Sequence, residues 1–451
     1  PAPRLEALTG DWTRALVAAT LVAIVLFGGY LRLTHLNWDS NGNGISGHLH
    51  PDERFLTQIA GDTRAPSSIA NYFDTKTSAL NPYNITHPDG SKQTDFVYGT
   101  LPLFMNKFVA SHLHVLSLGM LSNYDDYDGY NLAGRGLSAV IDIATIVFVF
   151  LLARELVDRR AGLLAAFLYA LAPFAIQNAH FFIVDPYVAF FATASLLFAV
   201  RVAKYGYRRD MALAGVAAGL ATACKITAVS MLPVIVLAIG VYCWPAVKPY
   251  VAPWWYGKSK QYRAQQDGRR LDAAVANFVI GSLIALVTAF VAFRIAMPYA
   301  FQTPSIGQLF SWNLGSFGPI PVPYPDMMNH HWLQNEVDQH NLLSGAAFPP
   351  NVQWIARSKW LWPLQQIVDW GMGPALGITA WLGVLFAIVF AFVKRRGVWL
   401  VPLAWVIGYF AFMGAQFSLY MRYFLPLYPA LAVFAAALLW HAAQWASSAD
   451  P

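Results

Sequence analysis

Disulfide chemistry has almost no material here: the 451 residues include two cysteines, Cys224 and Cys243, and both fall inside apolar runs. A disulfide framework in any exposed loop is thereby excluded. Charge is the second scarcity. Asp, Glu, Lys and Arg make up 12% of the chain, while 57% is hydrophobic and 15% aromatic. About a quarter of a soluble domain is charged, so with a mean hydropathy of +0.44 a soluble chain is excluded as well. No internal repeat or low-complexity segment stands out.

What is present is a series of long apolar runs. A helix needs roughly 17–25 apolar residues to cross the hydrocarbon, and about ten such runs can be marked. They lie near 15–33, 137–153, 161–178, 186–203, 211–227, 228–243, 273–296, 375–393, 398–416 and 424–443. The expected fold is an all-α integral membrane protein, one polytopic helical bundle over 1–451. The first run is long enough to span and lacks a small-residue cleavage site, so it reads as a retained helix and not a signal peptide.

The sequence pI is near 9.2, yet the placement of the basic residues matters more than their number. They cluster in short loops: Arg154, Arg159 and Arg160; Arg201, Lys204, Arg208 and Arg209; Lys248, Lys258, Lys260, Arg263, Arg269 and Arg270; Lys394, Arg395 and Arg396. Threaded through the runs, all fall on one side, which the positive-inside rule makes cytoplasmic, with both termini there too. A nucleic-acid partner is not needed to explain the basicity.

Two long segments then lie outside the cell (inner or plasma) membrane, 34–136 and 297–374. Within the first, "YGTLPLFMNKFVASHLHVLSLGML" (98–121) is apolar enough for an eleventh span, but a span there would scatter the basic loops over both sides. It is read as one or two helices lying along the membrane surface. The acidic "NYDDYDGY" (123–130) suits an outer loop, "NIT" (84–86) is a formal sequon that decides nothing, and "WPAVKPYVAPWWYGKSK" (244–260) reads as an interfacial loop with aromatic anchors.

Charges next to spans carry the functional signal, because burying one at mid-bilayer costs roughly 2.5–3.5 kcal/mol. Asp52 and Glu53 follow the first span in "GHLHPDERFL"; Asp185 sits in "HFFIVDP"; Lys225 in "ATACKIT"; Arg422 in "YMRYFLPLYP". Each maps to the outer end of its helix, so one cavity at the outer leaflet can collect carboxylates together with two cations. A carboxylate base beside cations is what transfer from a phosphate leaving group requires. The same residues have plainer uses. Asp52 and Glu53 can favour a helix dipole behind Pro51, Asp185 can cap a helix before Pro186, and Lys225 and Arg422 can snorkel to the interface.

"HPDE", "YGTLPLF", "GRGLSAVIDIATIVFVFLLAREL", "HFFIVDP", "GLATACKIT" and "RYFLPLYPALAVFA", in this order from Leu16 to about Trp440, resemble the bacterial lipid-carrier-dependent glycosyltransferases. These are similar to protein O-mannosyltransferases and aminoarabinose transferases, with the GT-C membrane fold. The resemblance implies transfer of a sugar from a polyprenyl-phosphate donor to a protein, lipid or glycan hydroxyl on the extracytoplasmic face, with inversion at the anomeric carbon. Carried over, Asp52 would be the general base, Glu53 would orient the acceptor or help hold a divalent ion, and Asp185 would be a second polar contact. Lys225 and Arg422 would meet the lipid phosphate, with His50, Tyr98 and His180 lining the substrate site. Many relatives carry Arg where this chain has His180, five residues before Asp185, and a neutral imidazole is a weaker phosphate clamp.

A metal site would draw on His48, His50 and Glu53, or on His330, His331, Glu336, Asp338 and His340 of "NHHWLQNEVDQH" (329–340). Their spacing matches no tight zinc pattern. That segment, with "PPNVQWIARSKW" (349–360), reads as a cover selecting the acceptor. Two other function classes use similar residues. A secondary transporter of an anionic substrate places its charges near the midplane, within paired repeats, and a catalytically silent accessory subunit keeps the fold without the chemistry.

Overall fold

A computed structural model describes residues 2–40, 47–87, 90–251, 268–302, 328–345 and 350–449. Among them the regular structure is helical, with two isolated bridges in place of any strand. The helices are α1 (Ala2–Leu33), α2 (Pro51–Asp62), α3 (Thr100–Ser111), α4 (Tyr127–Leu156), α5 (Arg159–Ala170), α6 (Pro173–Ala179) and α7 (Asp185–Tyr205). After them come α8 (Arg208–Thr222), α9 (Met231–Val251), α10 (Gly268–Ala296), α11 (His330–Ser344), α12 (Pro374–Val393), α13 (Leu400–Gly414) and α14 (Tyr428–Ala449).

Eight helices among the described residues are long and apolar enough to cross a membrane, or nine if the bent pair α5–α6 counts as one span. The chain is a multi-pass membrane protein. The expected run 161–178 is broken: α5 and α6 meet at 62°, because Pro173 has no N–H to continue the ladder and forces its predecessor out of helical geometry. The expected run 211–227 corresponds to α8, which stops at Thr222 and so leaves Lys225 in an irregular turn. The stretch 98–121 forms α3 and a short helix Leu113–Leu116, with Phe108, Val115, Leu118 and Met120 exposed, and not an eleventh span.

Two local readings change. Asp126, in the stretch expected to be loop, caps α4 by accepting from the Gly129 amide, so α4 starts ten residues before the expected 137. Residues 244–251, expected to be an interfacial loop, prolong α9 through Pro245 and Pro249; membrane helices accept such residues when neighbours satisfy the freed carbonyls. The remainder of that stretch, 252–260, lies outside the described residues, as do Lys258, Lys260 and Arg263 and the segments 303–327 and 346–349 of the expected second outer loop.

Small residues let the bundle close. α8 lies between α7 and α10, and a Cβ on Gly215 or Gly219 would sit 2.2 Å from Ala285 O or Ala289 O. This four-residue spacing of glycines brings two helix backbones together where larger side chains would hold them apart. At the opposite end of α7 from Asp185, Arg201 pairs with Glu155 and Asp210 at 3.0 Å each, and Lys204 with Glu155 at 3.2 Å. The basic loops after α4 and α7 therefore share one end of the bundle. Asp185 belongs to the other, about 30 Å away along a 21-residue helix.

Candidate active site

Each charged residue singled out from the sequence stands at a helix start or a break. Asp52 lies in the first turn of α2 behind Pro51, and Asp185 opens α7 before Pro186. Lys225 lies in the turn between α8 and the 3-10 segment Ile226–Ser230, and Arg422 in the 3-10 segment Met421–Leu427 that feeds α14. Prolines that cannot join a preceding ladder fix these starts, and the free amides there favour a carboxylate.

The four converge. Arg422 Nη1 is 2.6 Å from Asp52 Oδ2, and Lys225 Nζ is 2.8 Å from Asp185 Oδ1. One ring joins the two pairs: Lys225 Nζ lies 3.9 Å and the Arg422 guanidinium carbon 5.7 Å from the centroid of Tyr423. The charges of Asp52 and Asp185 both act on each of the two cations. Neither cation snorkels away.

Tyr98 completes one wall. The Gly99 amide donates to Cys224 O at 3.0 Å, and a Cβ on Gly99 would fall 1.9 Å from Ala223 O, so only glycine lets this loop lie against the turn that carries Lys225. The Tyr98 phenol hydrogen-bonds Asp52; burial first, then that carboxylate, holds it well above the usual phenol range, so it stays a donor. His50 caps α2 without a side-chain hydrogen bond, and its ring lies tilted by 42° against Phe181 at 4.7 Å. Burial lowers its pKa from the 6.5 of a free imidazole, outweighing the carboxylates of Asp52, Glu53 and Asp185, which raise it.

Glu53 points elsewhere. Its two oxygens take Arg135 Nε and Nη2 at 2.7 Å each, and Oε1 also accepts from the Phe182 amide at 2.9 Å. Arg135 spends its other donors on Leu36 O and on both oxygens of Asp39, at 2.7–3.0 Å. All five N–H groups are engaged and the side chains of Arg135, Glu53 and Asp39 are fully buried. This knot ties the start of α2 to α4, to the turn after α1 and to the turn before α7, so it fixes the neighbouring Asp52. His180 also meets backbone, its ring nitrogens lying 2.8 Å from Ile176 O and 2.9 Å from Thr34 O.

Sequence reading passed over Arg135 and Asp39, and over a second buried group: Arg32 Nε meets Asp142 Oδ2 at 2.5 Å and Nη1 meets Ala170 O at 3.0 Å, where α5 breaks. Arg32 and Asp142 carried a signal, a charge inside an apolar run, which needs a partner; Arg135 and Asp39 lie just outside the runs. Tyr423 gave no signal among 21 tyrosines.

The candidate metal ligands disperse. Glu53 is held by Arg135, His48 lies 2.7 Å from Asp128, and 329–340, read as a loop, is α11 with Asn329 as its cap. Among the described residues no three His, Cys, Asp or Glu side chains gather as metal ligands. Burial does raise the Glu336 pKa to about 7.

Residues 129–253 match the family model of the dolichyl-phosphate-mannose-protein mannosyltransferases. The matched segment carries Arg135, Asp185 and Lys225, and excludes Asp52 and Arg422. No curated protein matches the chain. Solved structures do. AglB, the oligosaccharyltransferase of Archaeoglobus fulgidus, solved with an inhibitory peptide and a dolichol-phosphate, is 16% identical with a TM-score of 0.53 over 97% of this chain and 52% of its own. The oligosaccharyltransferase of the same organism, tethered with an acceptor peptide containing the NVT sequon, gives 17%, 0.53, 95% and 50%. ArnT from Cupriavidus metallidurans, bound to undecaprenyl phosphate, gives 17%, 0.49, 95% and 60%. The chain spans about half the length of the oligosaccharyltransferase. Its fold is the GT-C membrane fold, and the likeness to the protein O-mannosyltransferases read from its motifs holds over 129–253.

Proposed function

We propose that the chain is a membrane glycosyltransferase that moves a sugar from a polyprenyl-phosphate donor to an acceptor hydroxyl, with Asp52 as general base. The observation that carries this reading is the convergence of Asp52, Asp185, Lys225 and Arg422 from four separate parts of the chain. Two carboxylates and two cations balance at rest. A phosphodiester brings one further negative charge and enters by competing for cations that the protein holds with single ion pairs.

The reaction breaks the bond between the anomeric carbon and the phosphate oxygen, whose electrons stay on the phosphate, and forms the bond from the acceptor oxygen to that carbon. The acceptor proton goes to Asp52. Arg422 gains from this exchange: its partner Asp52 becomes neutral as the phosphate acquires its second charge, so the same guanidinium stabilises the leaving group when it most needs a counter-ion. Lys225, held by Asp185, supplies the second cation. Attack from the face opposite the phosphate inverts the anomeric centre. Tyr98 donates to Asp52 and orients it, while Glu53, spent on Arg135, is assigned to holding α2 and not to the acceptor or a metal.

Lipid co-purified with the full chain, identified by mass spectrometry, tests this directly. A polyprenyl-phosphate or its sugar adduct is expected with the unmodified chain and is lost from the Lys225→Gln/Arg422→Gln variant. Identical lipid on both proteins, or substrate uptake into proteoliposomes without sugar transfer, would overturn the reading.

A further inference from the structure

Two prolines three residues apart shape the segment that carries Arg422. In "RYFLPLYP" Pro426 and Pro429 have no N–H, so the carbonyls three residues before them, Tyr423 O and Pro426 O, cannot receive 3-10 bonds. Donors for both come from α13. Trp405 and Tyr409 stand one turn apart on one face of that helix, 1% and 2% exposed, with their rings 4.7 Å apart. The Tyr409 hydroxyl donates to Tyr423 O at 3.1 Å, and Trp405 Nε1 to Pro426 O at 3.2 Å.

The Tyr409 hydroxyl has a second contact, on the turn of the other cation. Thr227 Oγ1 lies 3.4 Å from it. The phenol spends its one proton on Tyr423 O, so the threonine is the donor in this link. Thr227 belongs to the 3-10 segment Ile226–Ser230, two residues after Lys225, and Tyr423 directly follows Arg422. A single neutral oxygen thus joins the two turns from which the cations project.

Neutral links and ion pairs respond differently to an anion. A phosphate entering between the cations draws Lys225 from Asp185 and Arg422 from Asp52, and so weakens the pairs that hold both side chains at rest. The link from Thr227 through Tyr409 to Tyr423 O carries no charge and survives that exchange. We propose that Tyr409 is a positioning residue, a role that rests on the two cations meeting the lipid phosphate: its hydroxyl holds the Lys225 and Arg422 turns at the separation that phosphate needs. A hydroxyl that merely satisfied a buried carbonyl would stabilise the fold without favouring one ligand over another.

The test compares farnesyl phosphate with farnesol, the same chain without the phosphate, on the purified full-length protein in a neutral detergent, with bound ligand counted by native mass spectrometry. The unmodified protein is expected to prefer farnesyl phosphate, and Lys225→Gln/Arg422→Gln to lose that preference. Tyr409→Phe keeps the ring and its packing on Trp405. It should lower the preference about three- to tenfold, the worth of one neutral hydrogen bond, with farnesol binding unchanged. Thr227→Val cuts the link from its other side and should do the same, whereas Thr227→Ser keeps a hydroxyl and should restore the preference. A double variant that retains the full preference would overturn the phosphate reading and the role of Tyr409 with it. If the double variant loses the preference while Tyr409→Phe or Thr227→Val retains it, or if these variants lose both ligands equally, the role of Tyr409 alone is overturned. Should Tyr409→Phe fail to fold, Thr227→Val against Thr227→Ser decides.

Discussion

The knot around Arg135 and the cluster around Arg422 contain the same residue types, some of them adjacent in sequence, yet they differ in how far their hydrogen bonding is completed. Arg135 places all five N–H groups on Glu53, Asp39 and Leu36 and is sealed from solvent. Arg422 holds Asp52 through Nη1 while its buried Nε has no partner among the described residues, and His50 Nδ1 is similarly unpaired there. A side chain whose every donor is spent is framework. One that keeps donors in reserve, beside a carboxylate that stays 14% exposed, can accept a substrate.

The largest expected effect separates the two regions by activity. Asp52→Asn should reduce sugar transfer by about 10²–10⁴-fold, the range for a lost general base, without moving the thermal midpoint. Release of lipid phosphate in a single turnover is the measurement, and an unchanged rate would take Asp52 out of the chemistry. Next, Arg135→Ala strands two buried carboxylates and should cost about 3–5 kcal/mol of stability. Arg135→Lys should restore little, since an ammonium cannot fork to both acids. Thermal unfolding in detergent decides: a stable but inactive Arg135→Ala protein would move Arg135 from framework to chemistry.

Lys225→Gln should weaken donor binding about tenfold, or about 1.4 kcal/mol, with a smaller change in kcat. An effect confined to kcat would deny Lys225 its contact with the ground-state phosphate. The smallest effect is a pH dependence. Because burial lowers the His50 pKa below 6.5, the unfolded chain takes up this proton first as pH falls. The stability present above pH 6.5 is then lost progressively as pH drops through the folded value. His50→Gln should flatten that acid limb and leave melting at pH 8 unchanged; identical acid limbs would remove His50 as its source.

Much of this was legible before any coordinates. Apolar run lengths gave the bundle, and basic loops predicted a shared end that the pairs joining Glu155, Arg201, Lys204 and Asp210 display for the loops after α4 and α7. Asp52, Asp185, Lys225 and Arg422 were visible because charge beside an apolar run is expensive and therefore conspicuous. Arg135 and Asp142 sit within α4 and Arg32 in the last turn of α1, and their partners, on other elements, were not visible in the local sequence. Glu53 could not be separated from Asp52, since adjacent residues on a helix point about 100° apart and nothing local says which direction holds an arginine.

The order of apolar and charged residues thus determined by itself that the chain crosses a membrane many times and which residues bear the cost of charge there. The tertiary structure alone decided which charges neutralise one another completely and which keep unspent donors. The physical reason is that a side chain's partners are set by groups as many as 370 residues away, as Arg422 is from Asp52, and by burial, which no local stretch of sequence encodes.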